Sequence, residues 1–180
     1  MRKTIKALLL AGMVSIAPSF AATASAEGLV TIIVNDPSNP YWFTEGEVAS
    51  KTAKELGYDA TVGAHRGDTN TESNLIDTAI TNQSVAIILD PANADGSVGA
   101  VRKAVNAGIP VFLVNAEINQ EGLAKSQLVS NNAQGAALGA QQWVEILGDK
   151  ATYVELLGAP SDNNACLLYT SPSPRDKRQS

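Results

Sequence analysis

The order in which apolar runs recur along this chain restricts its fold more than any other feature. Short runs rich in β-branched residues alternate with longer runs of helical spacing. Residues 29–35 (LVTIIVN) form an unbroken apolar run ending in an amide, as expected for a strand covered on both faces. Residues 42–56 have helical spacing, with Gly57 as the stop. A short strand is predicted at 58–62, then a helix at 72–81 with Leu75, Ile76, Ala79 and Ile80 on one face. The pattern repeats with a strand at 85–89 (VAIIL), a helix at 95–107 stopped by Gly108, and a strand at 109–114 (IPVFLV). Pro110 stands near the start of that strand, where a missing donor is tolerated. A fifth strand is expected at 127–129, a helix at 133–147 closed by Gly148, and a sixth strand at 151–157 (ATYVELL). Such βαβαβ repetition implies an α/β fold: a doubly wound parallel sheet with right-handed crossovers and helices on both faces.

The first residues carry an address rather than a structural element. Arg2, Lys3 and Lys6 make a cationic start, residues 7–17 are mostly apolar, and Ala24-Ser25-Ala26 offers the small-x-small pattern of a signal peptidase site. Residues 1–26 therefore read as a cleaved secretory signal, and the protein as periplasmic. The apolar stretch falls short of the ~20 residues needed to span a bilayer, and Pro18 interrupts it. The mature chain is expected to be soluble and monomeric.

Charge and reactive residues exclude several classes. The net charge is -5, with no dense Lys/Arg run, which argues against nucleic acid as a partner. Cys166 is the single cysteine, so neither an internal disulfide nor a Cys-rich metal site is expected. His65 is the single histidine; the expectation is a surface or loop residue, not a member of a catalytic triad. Neither Gly-x-Gly-x-x-Gly nor a P-loop follows the first strand, so no nucleotide cofactor is implied. Asp36, Asp90, Asp95 and Glu117 lie on loops, where scattered acids are expected to be solvated instead of gathered on a metal. The chain is read as a non-enzyme without cofactor or metal.

In a doubly wound sheet, ligands bind beyond the carboxyl ends of the strands. Four loops lie there: residues 35–42, 90–95, 115–121 and 158–164. The first reads Asn35-Asp36-Pro37-Ser38-Asn39-Pro40-Tyr41-Trp42. Its prolines hold it extended, and two adjacent aromatics stand beside amides. Rings on a loop make a stacking surface that suits the C–H faces of sugars and polyols, whose hydroxyls need fixed donors and acceptors. The alternative is that Tyr41 and Trp42 cap the first helix and pack inward. The later loops add Asn115 and Asn164, which are ordinary turn and cap residues when taken singly.

Several motifs occur in order over residues 29–165. They are Asn35 to Trp42 with its Asn-Pro-aromatic-aromatic, KTAKELGY at 51–58, IILD at 87–90 followed by Pro91, AGIPV at 107–111, Ser130-Asn131-Asn132, and ELLG at 155–158. In these the chain resembles periplasmic binding proteins of the ribose-binding type. The resemblance implies two α/β lobes joined by a hinge, with a small sugar or polyol in the cleft between them. It also implies a membrane permease of an ABC importer as partner. Asn39 matches an amide that bonds a sugar hydroxyl, Tyr41 and Trp42 the stacking aromatics, and Asn164 lies near another polar contact. Asn115 and Ala116 replace the Asp-Arg pair of ribose receptors. Losing that charge-assisted bidentate pair favours an acyclic polyol or a different small sugar. The binding set is thus Asn35, Asn39, Tyr41, Trp42, Asn115 and Asn164.

The resemblance assigns residues 27–165 to an N-terminal lobe. Residues 166–180 (CLLYTSPSPRDKRQS) leave the pattern and read as a non-family tail, of the kind produced by read-through after a truncated gene, with the helix expected to stop at Ala165. Two alternatives share this fold: the effector-binding domain of a sugar-responsive repressor, which carries an N-terminal helix-turn-helix in place of a secretion signal, and a chemosensory sugar receptor.

Overall fold

The computed structural model describes residues 26–148, 152, 154, 157–159 and 162–170. Strands β1 (Leu29–Val34), β2 (Asp59–Ala64), β3 (Ala86–Leu89), β4 (Val111–Val114) and β5 (Ser126–Leu128) form one parallel sheet in the order β2-β1-β3-β4-β5. Helices α1 (Pro40–Glu55), α2 (Thr69–Thr81) and α3 (Val98–Asn106) make the crossovers. Helices α4 (Asn132–Leu147) and α5 (Asn163–Thr170) follow. The doubly wound α/β fold expected from the alternation is present. The strand order reverses between β1 and β3, so the crevice of such a sheet opens where the chain leaves those two strands.

Three helices end alike. After α1, the Gly57 N–H bonds the Lys54 carbonyl and the Tyr58 N–H the Ala53 carbonyl. After α3, Gly108 and Ile109 bond Val105 and Ala104 in the same way. This pairing needs a left-handed residue just past the helix, and Gly57 (φ 90°) and Gly108 (φ 84°) adopt it without strain. After α2 the same turn is made by Gln83 at φ 55°.

Among the described residues, the sheet is fully covered on one face and partly on the other. Ile33, Ile87, Leu89, Val111 and Leu113 point towards α2 and α3, where Ile76, Ala79, Val101 and Ala104 complete a fully buried core. On the other face α1 packs on β1 and β2, covering Val30, Ile32 and Val34. Among the described residues, that face is uncovered beyond β1. Ile88, Phe112, Val114 and Leu128 line an open apolar recess of about 790 Å³. Helices lie on both faces of the sheet as expected, but among the described residues those on the α1 side reach only β1 and β2. Helix α4 packs against α5 and buries no residue of its own.

Boundaries shift for local reasons. Helix α1 begins at Pro40, two residues ahead of the prediction, because Asn39 caps it. Helix α3 begins at Val98 instead of 95, because Asn93 Oδ1 takes the N–H groups of Asp95 and Gly96 and holds them in a turn. Helix α5 runs on through Thr170 instead of stopping at Ala165. The predicted sixth strand (151–157) falls largely outside the described residues, as do the signal segment up to residue 25 and residues 171–180. Among the described residues no helix is long and apolar enough to cross a membrane.

Candidate functional site

At the reversal point between β1 and β3 the chain places a buried carboxyl. Asp90 is the first residue after β3 and is 2% exposed. Its even position in the strand register turns it to the α1 side, beneath the start of that helix. Trp42 Nε1 donates to Asp90 Oδ2 at 2.6 Å, and Asn115 Nδ2 donates to the same oxygen at 2.9 Å. Burial pushes the Asp90 carboxyl up to about 6, against the opposing pull of those two donors.

Asn115 is the hub of the rim. It follows β4 directly and sits at φ 62°, a left-handed conformation that asparagine tolerates better than most residues. Tyr41 Oη donates to Asn115 Oδ1 at 3.2 Å, and Asn164 Nδ2 donates to the Asn115 carbonyl at 3.0 Å. Asn164 Oδ1 in turn accepts from Asn132 Nδ2 at 2.8 Å, and Asn163 Nδ2 donates to Glu117 Oε1 at 2.7 Å. These amides tie α4 and α5 to the rim of the sheet.

Of the six residues expected from the sequence, Tyr41, Trp42, Asn115 and Asn164 join one hydrogen-bonded network that also contains Asp90. Asn35 lines the same polar recess of about 290 Å³ as Trp42, Asp90, Asn115, Glu117 and Asp162. Asn39 stands apart: its Oδ1 takes the Tyr41 N–H at 2.9 Å as the α1 N-cap, and the side chain is exposed. The two rings also divide. Trp42 is half-buried against Val30, Ile32 and Val34, the inward packing weighed as an alternative, whereas Tyr41 is 54% exposed. They meet edge to face, with centroids 6.0 Å apart at 89°.

Two expectations about polar residues are corrected here. Asp90 is buried and bonded, not solvated. His65 lies on the loop after β2 but is 1% exposed. Its Nδ1 accepts from the Gly67 N–H at 3.0 Å, so the ring proton sits on Nε2 and is donated to the Asp90 carbonyl at 2.7 Å. His65 thus fastens the loop that presents Asp90. Glu72 on α2 supports the same loop from the other side. It is wholly buried, and its Oε2 accepts from the Ala92 N–H at 2.7 Å. Among the described residues no three His, Cys, Asp or Glu gather as a metal site.

The profile of a family described as a periplasmic binding protein domain matches residues 30–169. The chain belongs to that family. A D-apiose import binding protein of Paraburkholderia graminis is 51% identical over 143 residues, which are 79% of this chain and 46% of that protein. A second, from Actinobacillus succinogenes, is 47% identical over 163 residues, 91% of this chain and 52% of that one. This periplasmic binding protein chain thus spans about half the length of the curated relatives it matches, and those relatives are substrate-binding proteins of sugar importers rather than enzymes. Solved structures agree on the fold. A galactofuranose binding protein superposes with a TM-score of 0.74 at 20% identity, over 79% of this chain and 49% of that one. A solute binding protein of Bacillus halodurans with bound myo-inositol gives 0.74 at 16%, over 86% and 53%.

Asp90 was within reach of sequence reasoning. An acid that directly ends a buried strand, at the parity facing α1, with a Trp in the first turn of that helix, satisfies the indole donor by a short route. Asn39 was legible too, since Asn followed by Pro reads as an N-cap with Pro at the first helical position.

Proposed function

We propose that this chain supplies one side of the sugar cleft in the substrate-binding protein of an ABC-type carbohydrate importer. The observation that carries the reading is the rim itself. An indole, a buried carboxyl and an asparagine are fixed on one another beside a polar recess at the sheet's reversal point. Asp90 accepts from a hydroxyl, Asn115 and Asn35 supply neutral amides, and the exposed Tyr41 ring offers a face for C–H stacking. Asn39, whose acceptor caps α1, contributes at most its N–H₂ donors.

The identity to D-apiose import binding proteins favours a small branched pentose over ribose, in keeping with Asn115-Ala116 where ribose receptors have Asp-Arg. The location is periplasmic, with residues 1–26 removed as the signal, and the partner is the importer's permease. Residues 27–165 form the first lobe. A clamshell draws affinity from both jaws, and each hydroxyl left without a partner costs about 1–3 kcal/mol. The chain alone therefore binds weakly.

Thermal shift of the chain from residue 27 against D-apiose, D-ribose, hexoses and tetritols tests this. Ligand at ~100 times its Kd raises stability by about 2.7 kcal/mol, so a weak site responds only at high sugar. The expected result is a shift largest for D-apiose and abolished by Asp90→Ala. No shift with any sugar, or an equal shift in the variant, overturns the reading. Micromolar calorimetric binding by the chain alone overturns its weakness.

A further inference from the structure

One acid next to the cleft has no role in the account above. Glu45 lies on α1 one turn past Tyr41 and three residues past Trp42, so it shares their helix face. Its side chain is half-buried against Asp90, within hydrogen-bonding reach of it. Glu45 Oε2 is shielded from water and has no donor within reach. Asp90 Oδ2 is already filled by Trp42 and Asn115. Two ionised carboxylates facing each other have no donor between them, and in a site screened from water that arrangement is costly. A single proton between them removes the deficit: it makes one group a donor and leaves the other the acceptor that Trp42 and Asn115 require.

We propose that Glu45 and Asp90 share one proton, and that Glu45, which holds it, is the positioning residue that fixes Asp90 for the ligand. The role in the cleft rests on the sugar-binding reading; the shared proton does not. Burial and the adjacent Asp90 push Glu45 up to about 7, while Asp90 ionises first, near 6. The other ionisable groups facing the pair are Tyr41 on the same helix, His65 from the loop after β2 and Asp162 ahead of α5, with Glu117 on the wall of the same recess. His65 favours the ionised form of Asp90 and Asp162 opposes it. Once Glu45 ionises, two like charges meet in a poorly screened site. They separate, and the indole and amide lose their common acceptor. The cleft is thus assembled at pH between about 6 and about 7, where one proton remains on the pair, and loosens as pH rises through about 7.

The indole reports this without any sugar. The Trp42 Nε1–H resonance, distinguished from Trp143 with a Trp143→Phe variant, is followed from about pH 5 to about pH 8, a range spanning both groups. The expected result is a two-step change, with the step nearest neutrality absent in Glu45→Gln and the lower one retained. Both steps surviving in Glu45→Gln, or no change in the resonance, overturns the shared proton. If Glu45→Gln does not fold, the Glu45 carboxyl carbon resonance of the unaltered chain decides: a midpoint near the ordinary 4.5 overturns it. For the positioning role, D-apiose is the probe. Affinity is expected to fall several-fold across the upper step in the unaltered chain and to stay flat in Glu45→Gln. A pH-independent affinity with the indole steps intact overturns that role and leaves the proton pair standing.

Discussion

The two faces of the sheet are built from the same strands and have reached different degrees of completion. Along β4, Val111 and Leu113 are wholly buried beneath α2 and α3, while the alternate residues Phe112 and Val114 border an open recess. Composition does not explain the difference, because a strand reading VFLV is apolar at every position. What differs is the supply of helices. Two crossovers, α2 and α3, fall on one side and close it. Among the described residues only α1 falls on the other, and its reach ends at β1 and β2. The carboxyl rim inherits the asymmetry. Glu72 is sealed within the closed side, and Asp90 is sealed on the open side by the first turns of α1 together with Asn115.

The sharpest way to break this comparison uses neighbouring residues of β4. Leu113→Ala removes a side chain from the closed core, and a loss of about 3 kcal/mol is expected, within the usual 2–5 for such truncations. Phe112→Ala removes a larger side chain from the open face, and a smaller loss of about 2 kcal/mol is expected, because the ring borders an open recess and its removal leaves no closed cavity. Urea denaturation measures both. An equal or larger loss at Phe112 means that the second face is covered and the contrast is void.

The next effect comes from pH and sharpens the contrast at the rim. Asp90 is raised from 3.8 to about 6, chiefly by burial. A carboxyl raised on folding adds stability that is fully present below its unfolded value and is lost as pH climbs through the folded value. The window therefore runs from about 4 to about 6, and the loss across it is on the order of 2 kcal/mol. Glu72 is raised in the same direction, also by burial, and is held down in part by the Ala92 and Ser97 bonds it accepts. Asp90→Asn is expected to flatten stability across that window while leaving in place the Glu72 share and the part of the Glu45 share that comes from burial. Urea midpoints of both chains at about pH 4 and about pH 7 bracket the window. Parallel pH profiles for the two chains place Asp90 in water.

A smaller effect separates backbone from side chain at Asn115. Its φ of 62° disfavours a residue with a Cβ and no local hydrogen bond. Asn115→Ala is expected to be less stable than Asn115→Gly by about 1 kcal/mol. Both lose the bond to Asp90. If the two variants are equally stable, the left-handed turn after β4 is not what holds the hub.

Much of this was legible along the chain, for reasons that also explain what was not. The strands and their parallel order follow from apolar runs alternating with helical periods, and the Gly57 and Gly108 stops follow from a backbone requirement confined to a few residues. The open face was not legible: residues 109–114 are apolar at nearly every position, and such a run reads alike whether one side or both are covered. At the rim, Tyr41, Trp42, Asn115 and Asn164 came together because loops at one sheet edge must converge. Glu45 escaped notice because burial is set by what packs over a carboxyl, and a single acid on the first turns of a helix reads the same wet or dry. Asp90 was noticed but read as solvated, although its strand parity and the Trp in α1 pointed to its partner. Asn39 entered the ligand set through the family resemblance, and beginning α1 at Trp42 left its capping role unread.

The smallest expected effect lies at the edge of the open face. Leu128 ends β5, which among the described residues pairs with β4 alone, Leu128 lying opposite Val114. It is 64% exposed. A leucine so placed has little surface removed from water, so replacing it with serine forfeits little transfer free energy and leaves no cavity to collapse. Serine also leaves the β5 ladder intact. Leu128→Ser is therefore expected to change stability by less than about 0.5 kcal/mol, the scale of ordinary surface substitutions. Ile87→Ser, made in the middle of the closed core, exceeds that several times over by opening a void and burying a hydroxyl. A loss at Leu128 comparable to that at Ile87 requires something to lie over β5, and the two faces of the sheet then cease to differ.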